Sequence, residues 1–224
     1  MPSAEISPSE RLAAVRAAIA HNAGLARRDP ADIELIAISK THPPEAIAPL
    51  IAAGQRSFGE NRVQEAQAKW PTLKAETADI HLHLVGQLQS NKADDAVALF
   101  DAIHSVDRPS LVTALARAIQ AQGRAPDCYI QVNIGEEAQK GGCAIADLPA
   151  LLHTARDAGL PIVGLMAVPP ADTEPAPYFA LLAKLARNHG LTQLSMGMSG
   201  DYETAVLLGA TCVRVGSALF GERG

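Results

Sequence analysis

Cysteine is scarce in this chain and badly spaced for any shared task. Cys128, Cys143 and Cys212 are odd in number, at separations that fit no metal motif. They read as small buried residues of a reducing compartment, which excludes a disulfide framework. Dense runs of Lys and Arg are also missing, and the net charge is −5 with an isoelectric point near 5.8. That balance argues against a nucleic acid or an anionic membrane surface as a partner. No stretch of 18 apolar residues runs without a polar break, so no membrane span is expected. Residues 1–8 hold neither a basic nor an apolar leader region, and a cytoplasmic location is expected. No Gly/Ser-rich linker or shift of composition divides the chain, which reads as one domain over residues 1–224.

What the chain does have is apolar bulk. Hydrophobic residues make up 48% and charged residues 19%, enough to bury a full core. Ser7, Pro8 and Glu10 form the pattern of a capping box, opening a helix that carries Leu12, Val15 and Ile19 on one face to about Arg27. From Ile33 onward, strand and helix patterns alternate without a break. Strands are expected near 33–39, 56–59, 80–85, 102–106, 129–133, 161–168, 193–196 and 211–215. Helices fall between them, one capped by Asn61 and ending near Trp70-Pro71, another opened by Asp201 and capped by Ser199. Strict alternation implies a parallel sheet, and eight units in one undivided chain favour a closed (β/α)8 TIM barrel with an extra N-terminal helix. No Gly-x-Gly-x-x-Gly follows the first strand, which argues against a dinucleotide-binding fold.

The first strand ends on a lysine. Leu35-Ile-Ala-Ile38 has the composition of a strand buried on both faces, and Lys40 follows it where an ionised side chain is costly to bury. In a barrel the C-terminal strand ends form the active site, so Lys40 is expected to point into one. A desolvated lysine amine can attack a carbonyl and form a Schiff base. The loops after strands seven and eight commonly hold phosphate, and here they are Gly197-Met-Ser199-Gly-Asp201 and Gly216-Ser217-Ala218. An amine and a phosphate site across one mouth point to pyridoxal phosphate. Arg214, ending strand eight, would donate to the pyridine nitrogen, keep it unprotonated and make the ring a weaker electron sink. That favours mild chemistry such as racemisation, or little turnover. Glu60 and Asn61 follow strand two, and Met166 lies near the end of strand six. His83 reads as a structural histidine facing either the barrel interior or the helices, and Lys140 as either a lid residue or a solvated loop residue, with solvation favoured.

These stretches resemble the pyridoxal phosphate homeostasis proteins of the YggS/PROSC type, similar to the N-terminal barrel of bacterial alanine racemase. The matching residues are Ile38-Ser-Lys40-Thr41, Phe58-Gly-Glu-Asn61-Arg-Val-Gln-Glu65 and His83-Leu-Val-Gly-Gln-Leu-Gln-Ser-Asn-Lys92. Further on come Gly164-Leu-Met166-Ala167, Leu194-Ser-Met-Gly-Met-Ser199 and Val213-Arg214-Val-Gly216-Ser217. The resemblance implies a fold type III barrel with Lys40 as the Schiff-base lysine and Arg214 as the partner of the pyridine nitrogen. It implies Ser199, Gly216 and Ser217 as phosphate ligands, Asn61 near the cofactor ring, and Met166 among the cofactor contacts. It places the family's flexible segment at 136–142, which ends here in Lys140-Gly-Gly142.

It further implies a monomeric carrier that buffers pyridoxal phosphate and delivers it to apo-enzymes, and not an enzyme. A racemase working on both faces of its substrate needs a second acid or base opposite the lysine. In alanine racemase that is a tyrosine from a second domain and a partner subunit. Such a domain is not expected here, and Tyr129, Tyr178 and Tyr202 stand in other contexts. The alternatives are a racemase-like enzyme that uses pyridoxal phosphate and a cofactor-free Schiff-base aldolase.

Overall fold

The computed structural model describes residues 6–221. Helix α1 (Pro8–Leu25) starts at Ser7, whose hydroxyl accepts from the Glu10 N–H while Glu10 bonds back to the Ser7 N–H. A short 3-10 turn over Pro30–Asp32 delivers the chain to the barrel. Strands β1 (Glu34–Ile38), β2 (Ser57–Glu60), β3 (His81–Leu84) and β4 (Ala102–Val106) alternate with α2 (Pro44–Ala52), α3 (Val63–Glu76) and α4 (Ala93–Leu99). After α5 (Pro109–Gln122) come β5 (Asp127–Gln131), α6 (Leu148–Asp157), β6 (Ile162–Met166) and α7 (Ala176–Asn188). The last turn is β7 (Gln193–Met198), α8 (Tyr202–Leu207), β8 (Cys212–Val215) and the short α9 (Ser217–Phe220). All eight strands are parallel and in sequence order, and β8 closes on β1 with Ile36 opposite Arg214.

Period two along the strands separates two interiors. Leu35 and Ala37 of β1, Leu82 and Leu84 of β3 and Val213 and Val215 of β8 face outward into the large apolar layer under the helices. Ile36 and Ile38, with Tyr129, Met166 and Cys212, face a much smaller cluster inside the barrel. Trp70 of α3 is fully buried against Phe58 of β2, with ring centroids 5.0 Å apart. Its indole Nε1 donates to Glu60 Oε1 at 2.9 Å, so the largest side chain of the layer leaves no polar atom unpaired. Helix α1 packs on α8 and α9 through Leu12, Val15, Ile19 and Ala23, and covers the seam where the barrel closes.

The expected elements are all present, with shifted ends. Strand β5 begins and ends two residues earlier than expected. Helix α3 runs through Trp70-Pro71 to Glu76, because a proline gives up only one backbone bond there and the buried face continues to Leu73. Asn61 does not cap α3; Arg62 occupies that position, with no side-chain cap bond. Ser199 does not cap α8, where Asp201 is the flanking residue. The three cysteines are free and buried. Among the described residues, no helix is long and apolar enough to cross a membrane.

Candidate functional site

A cavity of about 330 Å³ opens at the C-terminal ends of β1, β7 and β8. Lys40 stands on one side of it; Ser199, Gly200, Gly216 and Ser217 form the opposite rim, and Arg214 lies at its base. Ile38, His42 and Met198 complete the wall, and His42 stacks on Phe220 with centroids 4.2 Å apart. A hollow of about 400 Å³ lies at the other end of the barrel beside α1, and it is chemically poorer. Its Arg16 and Arg56 are spent on the backbone carbonyls of Gly54, Ile51 and Gln55, and no lysine lines it.

The turn that carries Lys40 is heavily constrained. Thr41 sits at φ 65°, a left-handed conformation that a β-branched residue adopts only when its surroundings impose it. Those surroundings come from α3. The Thr41 N–H donates to Glu65 Oε1 at 2.5 Å, and Lys69 Nζ donates to the carbonyls of Ser39 (2.8 Å) and His42 (3.2 Å) on either side of Lys40. Lys69 is itself neutralised by Glu60 Oε1 at 2.8 Å and Glu65 Oε1 at 3.0 Å. Glu60 is fully buried and also accepts from the Ser39 hydroxyl at 2.7 Å. Burial pushes the Glu65 pKa up, but the Thr41 N–H and the charges of Lys69 and Arg62 bring it below its ordinary value. An ion trio, buried at Glu60 and Lys69 and half-buried at Glu65, thus aims the Lys40 turn.

The opposite rim is held as firmly. Gly197 has φ 92°, and a Cβ there would lie 2.5 Å from Ala205 Cβ, so only glycine lets the chain turn into α8. The Ser199 hydroxyl accepts from the Gly216 N–H at 3.0 Å and ties the loop after β7 to the loop after β8. Asp201 Oδ1 accepts from the Met198 N–H at 2.6 Å and closes the same turn. The guanidinium of Arg214 is 4% exposed and donates to Ser195 Oγ (2.5 Å) and the Ala167 carbonyl (3.0 Å). Burial lowers its pKa, against the pull of Cys212 and Asp201, and an arginine so shifted still keeps its proton. Burial pushes the neighbouring Cys212 thiol up to about 11, so no thiolate forms beside it.

Residues 15–224 match the alanine racemase N-terminal domain family. The pyridoxal phosphate homeostasis protein of Pseudomonas aeruginosa is 44% identical over 223 residues, covering 96% of this chain and 95% of that protein. The chain belongs to the pyridoxal phosphate homeostasis protein family. PipY of Synechococcus elongatus, a structure described with pyridoxal phosphate bound, superposes with a TM-score of 0.83 at 42% identity, over 96% of this chain and all of that one. Alanine racemase from Bacillus anthracis, at 17% identity and a TM-score of 0.65, covers 95% of this chain and 56% of its own, and shares the fold alone.

Within this family barrel, five of the seven expected site residues line one cavity: Lys40, Ser199, Arg214, Gly216 and Ser217. Asn61 lines the neighbouring hollow with Gln87 and Lys92, its backbone pressed on Gly86, where an added Cβ would lie 2.3 Å from the Asn61 carbonyl. Met166 is buried inside the barrel with Ile38, which itself lines the cavity. Lys140 is not a solvated loop residue. It is half-buried, bonded to the Pro169 carbonyl at 3.0 Å and paired with Glu137 at 2.6 Å. His83 faces the barrel interior. Sequence reasoning missed Lys69, Glu65, His42 and Ser195. The Glu65–Lys69 spacing of four was the one available signal, and on a helix it reads as an exposed pair.

Proposed function

We propose that this chain holds pyridoxal 5′-phosphate on Lys40 and serves as its carrier, buffering the cofactor and delivering it to apo-enzymes. The observation that carries this reading is one cavity with an amine on one side, hydroxyl and backbone donors on the other, and a buried arginine at its base. The residues fit the group. Arginine is a donor without acceptor capacity, so Arg214 suits a neutral pyridine nitrogen and no protonated one. Ser199, Ser217 and the first N–H groups of α9, which have no partner within the helix, suit a phosphate. A cavity of this size is at the small end for cofactor sites, as befits one small aromatic group. PipY, a relative of the same fold, is described with this group bound in its structure.

When bound, the cofactor supplies an aldehyde for covalent attachment and an electron-withdrawing ring. The chain's own residues then define its use. Lys40 tethers, the Lys69 trio keeps the tether aimed, and Ser199 and Ser217 retain the phosphate. Arg214 denies the ring nitrogen a proton, which weakens the ring's pull on electrons. No tyrosine among the described residues lines the cavity: Tyr129 is stacked on His104 inside the barrel, Tyr178 is on α7 and Tyr202 is buried on α8. A second acid or base opposite Lys40 is therefore not supplied by these tyrosines. Since one chain builds the whole cavity, the carrier works as a monomer, and its three unpaired thiols suit the reducing cytoplasm.

The test uses the purified chain loaded with pyridoxal phosphate. It should bind one equivalent, reactivate an added apo-enzyme, and leave L-alanine and other amino acids optically unchanged. Sustained inversion at ordinary enzymatic rates would replace this reading by the racemase one. A protein that takes up no cofactor would leave the aldolase reading.

A further inference from the structure

Beneath the cavity, five polar side chains from five strands stand in one file through the barrel. Arg214 Nη1 donates to Ser195 Oγ at 2.5 Å, and Ser195 Oγ lies 2.8 Å from His104 Nδ1. His104 Nε2 lies 3.1 Å from His83 Nδ1, and His83 Nε2 faces Glu34 Oε1 at 3.3 Å. That last contact falls outside hydrogen-bond geometry, and the Glu34 carboxylate faces the ring as a nearby charge. Ser195 and His104 are fully buried, and His83 is 5% exposed. Glu34 opens β1 at the far end of the barrel, so the file joins the two ends of the fold.

Its two ends each have a fixed sense. Arginine only donates and carboxylate only accepts. Ser195 Oγ therefore accepts from Arg214, and with its second lone pair and its own hydrogen it can bond His104 Nδ1 in either sense. With the hydroxyl as donor, His104 carries its proton on Nε2 and donates to His83 Nδ1; with the hydroxyl as acceptor, both bonds reverse. His83 Nε2 faces the Glu34 carboxylate. The file can run in either sense, and each sense holds His104 in one tautomer. Burial, followed by the charges of His83 and Arg214, pushes the His104 pKa well below its ordinary value, which agrees with a neutral ring. Tyr129 stacks on His104 with centroids 4.2 Å apart and planes 17° apart, and fixes the plane in which the ring can bond.

We propose that Glu34, His83, His104 and Ser195 are positioning residues that lock the Arg214 guanidinium in a single orientation towards the ring nitrogen of the cofactor. The cofactor half of this statement rests on the reading of the cavity given above; the locking half belongs to the protein alone. Arg214 has one other anchor, the Ala167 carbonyl, about which the guanidinium can turn if the serine bond is lost. Lying six residues before Lys40, at about 3.3 Å per residue roughly 20 Å away along the chain, Glu34 becomes a remote determinant of the cofactor's environment.

The experiment uses the full chain labelled with ¹⁵N, first free and then loaded with pyridoxal phosphate. In the free protein at neutral pH, ring correlations should show His104 neutral and in a single tautomer. The Arg214 side-chain N–H signals should show slow rotation. Glu34→Gln, whose amide can donate as well as accept, should mix the two histidine tautomers and speed the Arg214 rotation, whereas Glu34→Asp should preserve both. Ser195→Ala, at the other end, should free Arg214 even if Glu34→Gln folds poorly. A mixture of His104 tautomers in the parent, or unchanged tautomers and rotation in the variants, would overturn the proposal. In the loaded protein, Glu34→Gln and Ser195→Ala should shift the visible band in the direction that Arg214→Lys does. Ser195→Ala should also retain the cofactor a few-fold less well. Rotation freed without any shift of the band would overturn the cofactor half. A parent that takes up no cofactor while its free-state signals stand as described would overturn the cavity reading and not the lock.

Discussion

The same eight strands present two different chemistries on their two faces. Outward, under the helices, Leu, Ile, Val, Phe and Trp side chains pack into one continuous apolar layer. Inward, a small apolar cluster shares the space with Glu34, His83, His104, Ser195 and Arg214, joined end to end. The outer layer is non-directional: its stabilisation scales with the area removed from water, about 25 cal/mol per Å², and tolerates exchange among residues of similar volume. The inner file is directional, since each atom is committed as donor or acceptor and one change reverses its neighbours. Substitutions outside should therefore cost stability and spare the cofactor site, whereas substitutions inside should alter the site as well as the stability.

The strongest break in that comparison is at the tether. Lys40→Ala should abolish covalent retention of pyridoxal phosphate and leave the thermal midpoint close to that of the parent, since Lys40 is half-buried and packs at the mouth. Next in size are the residues of the outer layer. Trp70→Ala should cost about 3–5 kcal/mol in urea unfolding by emptying a fully buried site. Lys69→Met stands between the two classes, because it leaves Glu60 as an unpaired buried carboxylate and also releases the Lys40 turn. It should cost about 3–5 kcal/mol and slow cofactor uptake together, a pairing that no purely apolar substitution should show.

Smaller effects belong to the rim and the far end. Ser199→Ala combined with Ser217→Ala should weaken retention about tenfold, measured by dialysis, with unfolding unchanged. The Glu34 carboxyl is pushed up by burial, but the contact with His83 and the Ser57 hydroxyl outweigh this and bring it to about 2, from an ordinary 4.5. A depressed carboxyl stabilises the fold fully above its unfolded pKa and loses that contribution as the pH falls through the folded one. The parent should therefore lose stability more steeply than Glu34→Gln between pH 4.5 and 2. Equal slopes would remove Glu34 as an anchor of the file.

The outer face was legible because it obeys a rule of local spacing. Apolar alternation along β1, β3 and β8 and the apolar stripe of α1 are visible within a few residues. The mouth was legible for a related reason: Lys40, Arg214 and the two glycine–serine loops all stand at strand ends, where a barrel puts its chemistry. The inner file was not, since His104 and Ser195 are 91 residues apart and meet only once the barrel closes. Lys69 was hidden by ordinariness, its spacing from Glu65 being that of countless exposed helix pairs. Ser199 illustrates competition between equivalent acceptors: a hydroxyl placed to cap α8 instead takes the Gly216 N–H and joins the two rims. Asn61 lost its capping role to Arg62 because β2 ends at Glu60 and the chain needs one further extended residue before α3 turns.

The central claim is that Lys40 is the tether of a cofactor cavity. The most direct measurement is the visible absorption spectrum of the parent and of Lys40→Ala, each incubated with pyridoxal phosphate and then desalted. A band that survives desalting in the parent and is absent from Lys40→Ala is the predicted result. A parent without the band, or a Lys40→Ala protein that keeps it, would contradict the account.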